Sequence, residues 1–111
     1  MSKKTIKTDR APAAIGPYSQ GVVSGNLLFT SGQLPIDPAT GKIPEGTIEE
    51  KAHLVFKNLQ AIAAEAGTSL DNAVKTTVFL ADIANFQAVN QVYAQYFKEP
   101  YPARSAFQVA A

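Results

Sequence analysis

The sequence predicts an α+β sandwich with the element order β-β-β-α-β-α-β, in which both helices lie on one face of a mixed sheet. Two observations support this fold class. Five short segments have the β-branched, aromatic and apolar pattern of strands, and two longer segments carry apolar residues at helical spacing. With 111 residues, the chain is expected to form one domain over residues 1–111 with a thin core.

The first third of the chain is predicted to form an edge strand followed by a β-hairpin. Residues 4–8 are the candidate edge strand, and a proline-containing loop after it delivers Tyr18 at a fixed position. The Gly-Asn pair at 25–26 is a typical two-residue hairpin turn. The hairpin ends at Ser31 and Gly32, where the glycine permits another group to approach the backbone closely.

The first helix is predicted to begin at a capping box. Thr47 and Glu50 have the spacing at which a hydroxyl and a carboxylate each bond a free amide at the helix end. Behind them runs one apolar stripe, and Gly67 supplies the stop. The stripe consists of Ala52, Val55, Phe56, Leu59, Ile62, Ala63 and Ala66. His53 lies on the opposite face, where a solvent-exposed side chain is favoured over a general base.

A β-α-β unit forms the rest of the chain. Residues 73–80 are predicted to form a strand, and Asp82 can cap the helix that follows. The inner stripe of that helix consists of Ile83, Phe86, Val89, Tyr93 and Phe97. Residues 101–109 are the last predicted strand. The sheet face that the helices leave uncovered carries Thr77 and Phe79, which indicates that copies of the chain associate.

Composition excludes several classes of function. The net charge of +1, with 17% charged residues, gives no electrostatic footprint for nucleic acid or an anionic membrane. With no cysteine and one histidine, neither a thiolate nucleophile nor a metal centre is expected. The sequence has no P-loop, GxGxxG motif or nucleophile elbow. Signal-peptide and membrane-spanning patterns are absent too, so a soluble cytoplasmic protein is expected.

Arg104 and Asn90 are candidates for a binding site. Arg104 is one of two arginines, and its sequence neighbours include no acid. A guanidinium is a planar, permanently charged fork that binds a carboxylate through two hydrogen bonds. The alternative is a structural arginine paired with an acid elsewhere or with backbone carbonyls, since buried charges are normally paired. Asn90 lies on or beside a buried helix stripe, where it either joins two segments or binds a ligand.

Five blocks of sequence carry a resemblance to a known family. They are APAAIGPYSQG, SGQLPID, VKTTVFLAD, NFQAVNQVYAQYF and YPARSAFQVA. Together they resemble the RidA/YjgF family of reactive-intermediate deaminases, from about Thr5 to the last residue. The resemblance implies a chorismate-mutase-like fold and a homotrimer with three clefts between subunits. It also implies a hydrolase that limits metabolite damage by converting 2-aminoacrylate and 2-iminobutyrate to 2-keto acids and ammonia, without a cofactor.

The resemblance assigns roles to individual residues. Arg104 matches the family's arginine and would anchor the substrate carboxylate, and Tyr18 matches the tyrosine that closes the pocket or orients water. These two are the candidate catalytic residues. Ser31 and Gly32 match the strand end that lines the cleft, and Asn90 matches the helix asparagine. Because an imine carbon is already electrophilic, the attack of water needs positioning and proton management more than a strong nucleophile.

The sequence departs from the family pattern at two places. The family commonly has a cysteine two residues after the arginine, where this chain has Ala106. The role implied there is a backbone carbonyl that accepts a hydrogen bond from the imine nitrogen, and alanine keeps that carbonyl. The family also continues into a final strand with a glutamate that binds the catalytic water. This sequence stops at Ala111, so that strand is expected to be absent and the domain to be incomplete at its C-terminal end.

Two other functions stay open at the level of the sequence. One is a non-catalytic module of the same fold that binds small keto acids or regulates a partner. The other is the ribonuclease or translation-inhibitor role described for some relatives. The near-neutral charge and the lack of interleaved aromatic and basic residues argue against RNA as the main ligand.

Overall fold

The structure, a computed structural model, describes residues 2–111. Its main elements are β1 (Lys3–Ile6), β2 (Gly21–Ser24), β3 (Leu27–Thr30), α1 (Ile48–Glu65), β4 (Lys75–Leu80), α2 (Phe86–Tyr96) and β5 (Ala103–Gln108). Short 3-10 turns at Leu70–Asn72 and Ile83–Asn85 precede β4 and α2. The predicted element order and the α+β class are therefore confirmed.

The five strands form two hydrogen-bonded sheets, one antiparallel and one parallel. β1, β2 and β3 form the antiparallel sheet, with β2 in the centre and the hairpin turn at Gly25, whose φ is +60°. β4 and β5 pair in parallel. The expectation of one mixed sheet is therefore refined to two sheets. A strand pattern in the sequence predicts an extended segment but does not show which other strand it pairs with. Within residues 2–111, no strand bridges the two sheets.

Helix α1 holds the two sheets together because it packs against both. In its first half, Ala52 and Phe56 join a core cluster with residues of β4 and α2. In its second half, Ala61 and Ile62 join a second cluster with Ile6 of β1. Ile62 is fully buried, and burial of a side chain of this size contributes about 1.5–3 kcal/mol. Within residues 2–111, neither helix is long and apolar enough to cross a membrane.

The ends of α1 form as the sequence predicts. The Thr47 amide donates to Glu50 Oε1 at 3.1 Å, and the Glu50 amide donates to Thr47 Oγ1 at 3.1 Å. The hydrogen bonds from Thr47 lower the pKa of the Glu50 carboxyl. Gly67 follows the helix with a φ of +84°, a conformation that favours glycine.

The prediction of a solvent-exposed His53 is wrong. The side chain is half-buried, and its Nδ1 atom lies 2.7 Å from the hydroxyl of Tyr96 on α2. The sequence pattern identifies the apolar stripe of α1 but does not show that α2 also covers the adjoining polar position. His53 and Tyr96 therefore form a polar link between the two helices.

One face of the β4–β5 pair exposes two aromatic rings. Phe79 and Phe107 lie opposite each other in the ladder, with ring centroids 5.2 Å apart and ring planes nearly perpendicular. They are 60% and 46% exposed, so most of this apolar surface faces solvent. Thr77 is exposed as well. The face that was expected to lack helical cover is thus open in the chain, while the association of copies stays a prediction.

Candidate functional site

Arg104 projects from β5 toward helix α2. It pairs with Thr76 of β4, and paired residues of parallel strands point to the same face of a sheet. The Thr76 hydroxyl lies 2.8 Å from the Tyr93 hydroxyl on α2, which identifies this face as the one that the helix covers. Arg104 Nη1 donates to Asn90 Oδ1 at 2.6 Å, also on α2. The structure therefore brings Arg104 and Asn90 together.

The Arg104 guanidinium contacts two aromatic rings and one amide, but it forms no ion pair within residues 2–111. Its carbon lies 4.7 Å from the ring centroid of Tyr93 and 5.3 Å from that of Phe86. Among residues 2–111, no carboxylate forms an ion pair with it, and Asn90 is the acceptor for its N–H groups. The side chain is exposed. A guanidinium has five N–H donors, so this one keeps donors for an anion from solution.

The contact with Arg104 also fixes the orientation of the Asn90 amide. Because a guanidinium only donates hydrogen bonds, the amide atom that faces it is the oxygen, and the NH₂ group points the other way. No acceptor within residues 2–111 takes up that NH₂ group. Asn90 therefore joins α2 to β5, which is the first of the two roles left open by the sequence. It also presents a donor beside the guanidinium, and its role in binding a ligand stays a prediction.

The carbonyl of Ala106 points to the open edge of β5. The amides of Ala103 and Val109 donate to the carbonyls of Val74 and Leu80, at 3.0 and 2.9 Å. Because the backbone groups of successive strand residues face opposite edges, odd-numbered residues of β5 face β4 and even-numbered residues face away. Within residues 2–111, no strand pairs with that other edge. The geometry is consistent with a carbonyl that can accept a hydrogen bond from a ligand.

Tyr18, Ser31 and Gly32 form a second group, beside the antiparallel sheet. The Tyr18 side chain is 51% exposed, and its hydroxyl accepts a long hydrogen bond of 3.4 Å from the Ile15 amide. Ser31 Oγ donates to the Ser19 carbonyl at 2.6 Å. Gly32 is exposed, and a Cβ atom built on it would meet no described atom within 4 Å. The close approach expected at Gly32 is therefore not made by the described part of the chain.

Gln20 organises the loop that carries Tyr18, and the sequence analysis missed it. Its side chain is 4% exposed. Its Oε1 accepts from the Thr8 amide at 2.7 Å, and its Nε2 donates to the carbonyls of Thr8, Ala11 and Pro12 at 3.0, 3.2 and 2.8 Å. The sequence did contain a signal for this role, namely a glutamine next to a loop whose backbone has few regular hydrogen-bond partners. Such a loop needs side chains that donate hydrogen bonds to its carbonyls.

Asn58 has a similar role for the segment that follows Gly32. This residue of α1 is 1% exposed, and its Nδ2 donates to the carbonyls of Ile36 and Leu34 at 2.9 and 3.4 Å. In the sequence it is a polar residue inside the buried part of a helix. Such a residue normally forms hydrogen bonds to another segment. Asn58 thus fixes the chain that leaves the hairpin.

The two groups of candidate residues are not hydrogen-bonded to each other within the described part of one chain. Among residues 2–111, no hydrogen bond or ring contact joins Tyr18, Ser31 or Gly32 to Arg104 or Asn90. The Arg104 group has a free cationic donor, oriented amide and carbonyl groups, and no acid partner. These features define a site in an α+β protein that suits a small carboxylate-bearing molecule.

Comparisons with known proteins identify the family. The family model described as Endoribonuclease L-PSP matches residues 8–111, and the chain belongs to this family, also known as RidA/YjgF. A human relative named 2-iminobutanoate/2-iminopropanoate deaminase is 48% identical over 111 residues, covering 100% of this chain and 81% of that protein. Relatives with such names support a deaminase role for the family.

Solved structures of relatives share the fold closely. RidA from Psychrobacter superposes with a TM-score of 0.92 at 49% identity, covering 97% of this chain and 87% of that one. TdcF from Escherichia coli, solved with bound serine, superposes with a TM-score of 0.90 at 46% identity, covering 96% and 86%. The chorismate-mutase-like fold expected from the resemblance is therefore confirmed.

Proposed function

We propose that this protein hydrolyses reactive 2-enamine and 2-imine acids, such as 2-aminoacrylate and 2-iminobutyrate, to 2-keto acids and ammonia. One observation carries the proposal: the Arg104 guanidinium is exposed and has no acid partner within residues 2–111, yet Asn90 holds it in place. Such an arginine is suited to a substrate carboxylate. The name of the human relative supports the same chemistry.

The residues of the Arg104 group account for substrate binding in this reaction. Arg104 binds the carboxylate, and the Asn90 NH₂ group lies beside it as a further donor. The Ala106 carbonyl accepts a hydrogen bond from the substrate nitrogen. This contact favours the protonated nitrogen and makes the adjacent carbon more electrophilic. An enamine such as 2-aminoacrylate first takes a proton on its methylene carbon and becomes the corresponding imine. Water then adds to the C=N carbon, both of its protons pass to the nitrogen, the C–N bond breaks to release ammonia, and the water oxygen becomes the keto oxygen.

Tyr18, Ser31 and Gly32 act on this site, in our proposal, from a neighbouring subunit of a homotrimer. Among residues 2–111 no hydrogen bond or ring contact joins the two groups. The exposed face around Phe79 and Phe107 supplies apolar surface for association. Clefts at the subunit boundaries would then bring Tyr18 over the substrate to close the pocket or orient water. Sedimentation equilibrium tests the assembly, and a stable monomer at micromolar concentration would contradict it.

A coupled assay tests the reaction. Threonine dehydratase generates 2-iminobutyrate from threonine, and the appearance of 2-ketobutyrate is followed with and without this protein. We expect the protein to accelerate this step above its spontaneous rate. Protein inactivated by heat is the control for non-specific effects. If native and inactivated protein give the same rate, the proposed function is wrong.

Two further measurements, titration with 2-ketobutyrate and incubation with RNA, test the alternatives left by the sequence. Binding of 2-ketobutyrate without acceleration would indicate a non-catalytic module. Cleavage of RNA would agree with the family description as an endoribonuclease. The cytoplasmic location stays a prediction of the sequence.

A further inference from the structure

We infer that the aromatic rings of Phe86 and Tyr93 are positioning elements for Arg104, and that they set the affinity of the site for carboxylates. The inference rests on the proposed function in one respect, namely that the ligand carries a carboxylate. It extends the site to two aromatic residues that were predicted only as members of the buried stripe of α2.

The two rings and the amide lie along one face of α2. Phe86, Asn90 and Tyr93 are spaced four and three residues apart, which places them one above another on a helix. The guanidinium carbon is 5.3 Å from the Phe86 centroid and 4.7 Å from the Tyr93 centroid. Both distances lie within the roughly 6 Å range of favourable cation–π contacts. The helix face therefore supplies two rings and one hydrogen-bond acceptor to a single cation.

Tyr93 is itself immobilised by the core. Its ring stacks on Phe97 with centroids 4.3 Å apart and meets Phe56 edge-on at 5.8 Å. Its hydroxyl lies 2.8 Å from the Thr76 hydroxyl on the strand next to Arg104. With only 6% of its surface exposed, the ring has little room to move. Arg104 therefore contacts a fixed surface, although its own side chain is exposed.

Fixing the guanidinium in advance improves binding because less side-chain freedom is lost when the ligand arrives. A long arginine side chain in open solvent samples many rotamers. Here the rings restrict the guanidinium, and Asn90 takes a donor at Nη1. The remaining N–H groups are left for the carboxylate. Loss of a ring should consequently weaken substrate binding more than it slows the chemical step.

The position of Arg104 can be tested without any activity measurement. The chain has two arginines, Arg10 and Arg104, so the Nε–Hε signals in an NMR spectrum are assigned by Arg10→Lys alone. We expect the Arg104 signal to be displaced by the ring currents, and to move toward the Arg10 position in Phe86→Leu. An Arg104 signal that coincides with that of Arg10, or that ignores Phe86→Leu, overturns the inference.

The effect on binding is measured by titration calorimetry with 2-ketobutyrate and by steady-state kinetics with the imine. For Phe86→Leu we expect binding three- to tenfold weaker, about 0.7–1.4 kcal/mol, with KM raised and kcat changed less than twofold. Phe86→Tyr, which keeps a ring, should restore both values. Tyr96→Leu is the control for general loosening of α2. It removes a half-buried ring that stacks on Phe56 and a hydroxyl that bonds His53, whereas the cation–π contacts of Arg104 are with Phe86 and Tyr93.

The outcomes separate this inference from the proposed function. If the parent protein hydrolyses imines and Phe86→Leu leaves KM and the binding constant unchanged, the inference alone is wrong. Equal weakening in Phe86→Leu and Tyr96→Leu also overturns it, because the effect would then reflect general loosening of α2. If the parent hydrolyses no imine, the proposed function fails. The NMR signals and the binding of 2-ketobutyrate still support or overturn the positioning role in that case.

Discussion

The Tyr18 region and the Arg104 region use their polar side chains in opposite ways. Around Tyr18, polar side chains form hydrogen bonds to the protein backbone. Gln20 bonds three carbonyls and an amide, and Ser31 bonds the Ser19 carbonyl. Around Arg104, one amide holds a cation that keeps unused donors. The side chains of the first region therefore fix a loop, and the second region is the one that we propose binds a ligand. Substitutions in the two regions should damage different properties.

The largest effect is expected for Arg104→Lys. Lysine keeps the charge but loses the planar fork and its stacking on the Tyr93 and Phe86 rings. We expect kcat/KM for imine hydrolysis to fall by about 100-fold, roughly 2.7 kcal/mol. The urea midpoint should stay close to that of the parent, because the side chain is exposed.

Arg10→Lys is the control for this substitution, since it changes the other arginine of the chain. It should retain the kcat/KM of the parent. The anchoring role of Arg104 would be excluded by an Arg104→Lys protein that hydrolyses imines at the parental rate.

Gln20→Ala should mainly lower the free energy of unfolding, whereas Arg104→Lys should mainly lower activity. Truncation leaves the Thr8 amide and up to three carbonyls without their partner in a mostly buried setting. Each unsatisfied buried group costs about 1–3 kcal/mol, and water can reach some of them, so we expect a loss of about 2–4 kcal/mol in urea unfolding. Gln87→Ala, at an exposed position of α2, is the control and should change stability by less than about 0.5 kcal/mol. A Gln20→Ala protein as stable as this control would contradict the contrast between the regions.

The comparison also separates what the sequence can predict from what it cannot. The capping box at Thr47, the turn at Gly25 and the strand around Arg104 are local patterns, and the structure contains each of them. The bonds of Gln20 and the link between His53 and α2 depend on segments that are distant in sequence. No periodicity encodes such partners, so they become visible only when the elements are packed.

The same limit applies to the candidate site. The arginine and the asparagine were predicted as candidates, but not that they bond each other. The rings of Phe86 and Tyr93 were predicted as core residues, because an aromatic stripe at helical spacing normally packs inside. Their contact with the guanidinium follows from the register of β5 against β4, which places Arg104 opposite Thr76.

Ala106→Cys should have a small effect, and it tests whether the backbone or the side chain acts in the Arg104 region. The Ala106 carbonyl faces the open edge of β5 by strand geometry, whatever side chain the residue carries. We therefore expect imine hydrolysis to change by less than about threefold, or roughly 0.7 kcal/mol of barrier. A gain of a hundredfold would mean that a thiol is needed. The parent chain would then be better described as a binding module.

The smallest effect is expected at Glu50, in the helix that both regions share. Hydrogen bonds from Thr47 lower the pKa of the Glu50 carboxyl, the backbone amide of Thr47 making the largest contribution, and they exist only in the folded state. The folded pKa therefore lies below the unfolded one. The resulting stabilisation is present above the unfolded pKa and is lost as the pH falls through the folded pKa. Glu50→Gln keeps a hydrogen-bonding group but does not titrate, so the urea midpoint of the parent should drop more between about pH 6 and about pH 3 than that of this variant.

Glu49→Gln is the control for Glu50→Gln, because it removes a charge from the same first turn of α1, outside the capping box. Its pH profile should follow that of the parent more closely. Since α1 packs against both sheets, loss of the Glu50 carboxylate should lower the stability of the Tyr18 and Arg104 regions together. Hydrogen exchange at β2 and at β4 measures this directly. If protection falls at one sheet and not at the other, the two halves unfold independently, and the contrast between the regions extends from their side chains to their stability.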